Sequence, residues 1–266
     1  MTAAYLEAII LGIVQGLTEF LPVSSSGHLE IAQYLLGEQQ SIQSGLIMTI
    51  TLHAATALST LVVFRKEIGT IFRGLMQTPW QESHLFARNI ALSMLPAVGV
   101  GLFYEDAIDQ LFEGKIVLVS AMLIVTAVLL FLADRAPRGN RGIGMREAIL
   151  IGLAQMVAIL PGISRSGATI STAVMLRIDR ETAAQFSFLM VIPLIFGKMA
   201  KDLLDGSSTA VGVDIIPLAL GFVAAFLTGY IACAWMIRMV QRSKLGYFAW
   251  YCLLVGGGML LFTTTD

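Results

Sequence analysis

The sequence predicts an all-α integral membrane protein with an inverted-topology repeat: six transmembrane helices plus two re-entrant helix-loop-helix hairpins in a single membrane domain, residues 1–266. Three observations predict it. The chain is 56% hydrophobic and 13% charged, with a mean hydropathy of +0.80, whereas soluble domains are about 25% charged. One segment occurs twice: residues 7–30 read EAIILGIVQGLTEFLPVSSSGHLE and residues 147–170 read EAILIGLAQMVAILPGISRSGATI. The remaining charges gather in a few connections of differing sign.

The two copies align without a gap. Eight positions are identical: Glu7/Glu147, Ala8/Ala148, Ile9/Ile149, Gly12/Gly152, Gln15/Gln155, Ser24/Ser164, Ser26/Ser166 and Gly27/Gly167. Each copy is an apolar helix-like run, a Pro/Ser/Gly break and a second short apolar run. Paired interrupted segments at matching positions of two halves point to a central binding site. Repeat one covers about 1–133, with its hairpin at 3–37; repeat two covers about 145–266, with its hairpin at 145–177.

Three crossings complete each repeat. They lie near 45–64, 89–104, 116–133, 182–200, 215–237 and 246–263, where roughly 17–25 apolar residues suffice to span. Pro96 breaks the second run. Connections 65–88 (Arg65, Lys66, Arg73, Arg88), 134–146 (Arg135, Arg138, Arg141, Arg146) and 238–244 (Arg238, Arg242, Lys244) are basic. Connection 105–115 carries Glu105, Asp106, Asp109 and Glu113 against Lys115. The positive-inside rule places the basic connections in the cytoplasm and the acidic one outside. Arg146, Arg177 and Arg180 hold both ends of the second repeated segment in the cytoplasm, so it enters and returns on one face. The first ends outside, and both chain termini are predicted there. An odd number of crossings per repeat inverts the halves, so the hairpins meet near the midplane. Irregular backbone at that depth requires surrounding protein or a water-filled cavity.

A net charge of −1 gives no field that suggests nucleic acid as a partner; bilayer lipids are the surroundings. Cys233 and Cys252 lie in apolar runs without metal-ligand spacing and read as small buried hydrophobes. The N-terminus lacks the basic region of a cleavable signal peptide and carries Glu7 instead.

The chemistry sits in the breaks. Gln15 and Glu19, four apart, share a helix face, and Ser24, Ser25, Ser26, Gly27 and His28 open a short helix. The second copy offers Ser164, Arg165, Ser166, Gly167 and Thr169. Hydroxyls and free N–H groups at two helix starts suit a ligand with more than one negative charge. Arg165 can pair two donors with phosphate oxygens. His28 suits nucleophilic or acid–base work at neutral pH. Glu19 can orient or deprotonate a histidine or serine, or hold a divalent cation. The set fits phosphoryl transfer.

Plainer roles compete. A buried carboxylate costs about 2.5–3.5 kcal/mol in a bilayer, which favours function for Glu19 over a structural acid, and for Arg165 over a mere counter-ion. His28 reads as functional beside three serines. The serines and glycines double as cap and turn residues, and Ser26 and Gly27 are reducible to that alone. Gln15 divides evenly, whereas Gln155 reads as a structural hydrogen-bonding residue. His53 is either cavity-lining or helix-packing, and His84 is solvated in a basic loop. Tyr247, Trp250 and Tyr251 read as interfacial anchors.

The strings QGLTEFLPVSSSGH and LPGISRSGAT closely resemble the two signature motifs of the bacterial undecaprenyl-diphosphate phosphatases, the bacitracin-resistance (BacA/UppP) family, and the resemblance covers essentially the whole chain. It implies hydrolysis of undecaprenyl diphosphate to undecaprenyl phosphate and inorganic phosphate, which recycles the lipid carrier for cell-wall polymers and confers bacitracin resistance. It assigns site roles to Gln15, Glu19, Ser24, Ser25 and His28, and phosphate contacts to Ser164, Arg165 and Thr169. It also implies a divalent cation, Mg²⁺ or Ca²⁺, and a bacterial cytoplasmic-membrane location with the site open to the outer face. Many members have a glutamate where this chain has Gln15, so a two-carboxylate metal site is not expected. The expected chemistry is attack on the distal phosphorus by His28, Ser25 or water. A secondary transporter or lipid-phosphate flippase on the same repeat is the alternative, with His28 beside the serines arguing for hydrolysis. Gly221 with Ala225, and Gly256, Gly257 and Gly258, allow close helix contact within one chain or in a homodimer.

Overall fold

The computed structural model describes residues 2–36, 42–77, 82–104, 108, 110–111, 114–204, 214–242 and 244–265. Glu105, Asp106, Asp109 and Glu113 of the acidic connection lie outside them, as does residue 37 at the end of the predicted first hairpin. Among the described residues all regular elements are helices, apart from an isolated bridge between Arg141 and Ile178.

The first hairpin is α1 (Thr2–Phe20) and α2 (Ser25–Leu36). There follow α3 (Ile42–Val63), α4 (Arg65–Leu75), α5 (Glu82–Phe103) and α6 (Ile116–Arg135). The second hairpin is α7 (Met145–Val157) and α8 (Arg165–Met175), followed by α9 (Arg180–Leu204), α10 (Ile215–Gln241) and α11 (Gly246–Thr265). Among the described residues, α5, α6, α10 and α11 are each long and apolar enough to cross a bilayer, and Ile47–Val63 with Arg65–Leu75 makes a fifth candidate, bent by 74°. The chain is a multi-pass membrane protein.

Local physics moves several predicted boundaries. Pro96 does not break its run: α5 continues through it, the freed backbone groups of such a residue being re-satisfied locally within a membrane bundle. That helix begins at Glu82, so His84 is helical and half-buried rather than solvated in a loop. The basic stretch after α3 forms a helix of its own, with Arg65, Lys66, Glu67 and Arg73 on a short amphipathic element turned sharply from α3. Such an element suits the membrane interface.

The halves are interlocked. α1 packs along α10, and its repeat counterpart α7 packs along α5. The identical pair Gly12/Gly152 makes this possible. A Cβ at Gly12 would collide with the Gly221 carbonyl, and one at Gly152 with the Ser93 carbonyl. α6 packs against α11 in the same close manner: a Cβ at Gly256 would stand 2.7 Å from the Ser120 carbonyl oxygen. Gly221, Ala225 and Gly256 are therefore used inside the chain, while Gly257 and Gly258 face open space. Cys233 and Cys252 are fully buried in the main apolar cluster with Phe20, Phe186 and Met190.

The two breaks touch. A Cβ on Gly27 would lie 3.0 Å from the Gly162 Cα, and one on Gly167 would lie 3.3 Å from the Pro22 carbonyl oxygen. Positions 27 and 167 correspond in the repeat, as do 22 and 162, so the contact is reciprocal, as across a two-fold axis.

Candidate active site

The repeated serines first serve the backbone. Ser24 Oγ accepts from Gly27 N (3.3 Å) and Ser164 Oγ accepts from Gly167 N (3.0 Å), capping α2 and α8 alike. Ser26 and Ser166 approach these caps at 3.4 Å and 3.3 Å. The turns beneath differ. In the first break Ser24 itself is left-handed (φ 73°), whereas in the second the left-handed residue is Gly162 (φ 96°). A non-glycine in that region carries about 1–3 kcal/mol of strain and persists only where its surroundings hold it. It is this turn that delivers Ser25 to the start of α2.

The end of α1 then meets the starts of α2 and α8 at one carboxylate. Ser25 Oγ donates to Glu19 Oε2 at 2.6 Å, and Gln15 Nε2 donates to the same oxygen at 3.1 Å. Arg165 Nη2 pairs directly with the other oxygen, Oε1. Glu19 and Gln15 are buried; Ser25 and Arg165 are partly open. Four sequence-predicted residues from both copies thus form one cluster. His53 is half-buried on α3. Its Nδ1 lies 2.9 Å from the Thr49 carbonyl.

Other predicted residues stand apart from this carboxylate. His28 bonds through Nδ1 to the Ser24 carbonyl (2.8 Å) and through Nε2 to the Tyr251 hydroxyl (2.9 Å). Thr169 is fully buried, engaged with the Arg165 carbonyl (2.8 Å) and the Ser187 hydroxyl (2.6 Å). These bonds tie the first turn of α8 to α9. Gln155, expected to hydrogen-bond, is buried with neither amide atom partnered. Its neighbour four positions on is Ile159, where the first copy has Glu19.

Sequence reasoning missed Thr126, Ser187 and Tyr251. Thr126, wholly buried on α6, accepts from Ser164 N (3.0 Å) and reaches the Gly162 carbonyl (3.1 Å), clamping the second break from both sides. An isolated threonine in an apolar helix carries no local signal of such a task. An open groove of about 650 Å³, lined by Tyr34, Lys115, Val117 and Thr263 among others, shares no residue with the site.

Comparison with known proteins decides the family. The family described as bacitracin resistance protein BacA matches residues 8–258. The undecaprenyl-diphosphatase of Christiangramia forsetii is 55% identical over 256 residues, covering 96% of this chain and 97% of that protein. That of Parabacteroides distasonis is 47% identical (95% and 96% covered), and that of Methanobrevibacter smithii 36% (94% and 95%). The chain belongs to the BacA family. For a BacA protein, the resemblance carried by the two break motifs extends over both halves, and those breaks are what the fold brings together.

Proposed function

We infer that this chain hydrolyses undecaprenyl diphosphate to undecaprenyl phosphate and inorganic phosphate, the activity named in its BacA relatives, and so recycles the carrier lipid of cell-wall synthesis and underlies bacitracin resistance. One observation carries the chemistry: the Ser25 hydroxyl donates to the carboxylate that also holds Arg165. A serine hydroxyl bonded to a buried carboxylate is an activated nucleophile. Ser25 Oγ attacks the distal phosphorus as its proton passes to Glu19. The bond from that phosphorus to the bridging oxygen breaks, and undecaprenyl phosphate departs. Glu19 hands that proton to the departing phosphate and then takes one from water; the water cleaves the phosphoserine, Ser25 Oγ regains its proton from Glu19, and inorganic phosphate is freed. Arg165 keeps further N–H donors for the charge developing on the equatorial oxygens, as phosphoryl transfer requires. The N–H groups opening α2 and α8 add to it. His28, one turn beyond Ser25 on α2, serves the same phosphate in acid–base work.

A divalent cation fits beside this group. Gln15 Oε1 is buried without a partner next to Glu19, and Mg²⁺ is commonly bound by one carboxylate together with substrate phosphates. Glu19 and the Gln15 carbonyl would hold it, and it would neutralise phosphate charge. Among the described residues, no group of three or more His, Cys, Asp or Glu forms an all-protein site.

The six-crossing, inverted arrangement, with two re-entrant hairpins and the site open to the outer face, is our reading of the topology. The crossed packing of α1 on α10 and α7 on α5, the reciprocal contact of the breaks and the alternation of basic and acidic connections support it. The transporter reading lacks a use for a serine bonded to a buried base.

The test is phosphate release from a C55 diphosphate by purified protein, with acid-quenched mass spectrometry for phosphoserine. Wild type releases phosphate; Ser25→Ala and Glu19→Gln do not, and only wild type yields the Ser25 adduct. Full turnover by Ser25→Ala would overturn the serine mechanism. Absence of release by folded wild type would overturn the function.

A further inference from the structure

We propose that Tyr251 is a positioning residue for His28, its hydroxyl and ring holding the imidazole in one tautomer and one orientation for the reaction. This rests on the reading above that His28 serves the phosphatase centre. The tautomer follows from the partners. A carbonyl oxygen only accepts, so the nitrogen 2.8 Å from the Ser24 carbonyl, Nδ1, carries the hydrogen. Neutral imidazole then has its lone pair on Nε2, and the Tyr251 hydroxyl, 2.9 Å away, is the donor to it. The rings also stack, with centroids 5.5 Å apart and planes 11° from parallel.

The ring is therefore held from two independent places. One is the carbonyl of the left-handed Ser24, fixed by the turn of the first break. The other is a helix of the opposite half. α11 is itself seated on that break, since the next residue, Cys252, is fully buried with its Sγ 3.9 Å from the Pro22 carbonyl. Trp250, on the other side, meets Phe131 edge-on at 5.2 Å. Tyr251 was read from sequence as an interfacial anchor, and 43% of its surface is exposed. Its polar end, however, is turned to the imidazole. With the hydroxyl in place, the Nε2 lone pair points in one fixed direction, and a proton from the reacting groups can take the place of the Tyr251 donor there. Without it, the ring is free to exchange tautomers and to swing about its single remaining bond.

Tyr251→Phe keeps the ring and removes the hydroxyl; Tyr251→Ala removes both. The experiment measures steady-state hydrolysis of a C55 diphosphate by wild type, both variants and His28→Ala. It also records the ¹⁵N imidazole resonances of His28, identified by their loss in His28→Ala. Tyr251→Phe is expected to lower kcat about tenfold with KM within about twofold, the scale on which loss of an orienting partner acts on a histidine. It is also expected to move the Nε2 resonance. Wild-type kcat in Tyr251→Phe would overturn the proposal. So would a lowered kcat with unmoved His28 resonances and a reduced melting temperature, which marks a merely structural tyrosine. If His28→Ala turns over like wild type, it is the role of His28 that fails. The resonance shift in Tyr251→Phe then still reports whether the hydroxyl holds the ring.

Discussion

Exchanging Glu19 for Gln and Arg165 for Met, singly and together, separates the stability of the central ion pair from its chemistry. Glu19 receives Arg165 on one oxygen and both Ser25 and Gln15 on the other. An amide has only one accepting oxygen. In Glu19→Gln, either orientation of the new amide therefore turns its NH₂ toward a donor, leaving Arg165 or the Ser25/Gln15 pair unmatched. Arg165→Met leaves the carboxylate charged, with a side chain only 5% exposed. Breaking a buried pair from one side costs about 3–5 kcal/mol, whereas replacing both charges is often close to neutral. Each single variant should therefore melt about 10 °C lower in detergent, at roughly 2–4 °C per kcal/mol for a chain of this class. The double variant should recover most of that loss, its destabilisation falling well short of the sum of the two singles. Thermal unfolding reads the first quantity and phosphate release the second. All three variants should be inactive, because both groups act on the phosphate. Additive destabilisation in the double variant would refute the pairing, and activity in it would refute the chemistry.

Gly162→Ala puts a side chain on a left-handed residue against the Val119 carbonyl, with Met122 Cβ at 2.8 Å. It should cost about 2–4 kcal/mol by strain and overpacking together, visible as a lower melting temperature. Thr126→Val keeps volume but leaves Ser164 N without its acceptor. An unpaired buried group costs about 1–3 kcal/mol, and kcat should fall with it as the second break loosens. Gln15→Leu removes the unpaired Oε1 beside Glu19. Chelation by EDTA should suppress wild-type turnover, and the variant should need about tenfold more Mg²⁺ for half-maximal rate, an outer-ligand effect in scale.

The repeat was the most legible feature, because its identities sit where the backbone demands them. Ser24/Ser164 with Gly27/Gly167 are helix caps, and Gly12/Gly152 are points of close helix approach. The meeting of Glu19, Ser25 and Arg165 was legible too, since charges and hydroxyls in two breaks of an apolar chain have few other places to go. What stayed hidden depends on distant partners. Tyr251 in an aromatic cluster looks like a membrane anchor until α11 is laid over the first break, and Thr126 looks like any helix threonine. The helix after α3 was obscured because its basic residues were counted as topology signals, although they also make one polar face.

The crossed seating of the hairpins governs the order in which the molecule is assembled. α1 leaves the ribosome well ahead of α10, yet it is α10, starting only at Ile215, that provides the surface α1 packs along. The first hairpin must wait, unseated, while most of the chain is inserted, and α7 by contrast finds α5 already in place. A nascent chain halted after α6 would hold Glu19 without Arg165 and α1 without its bed. The enzyme centre is therefore fully seated only once α10 has arrived.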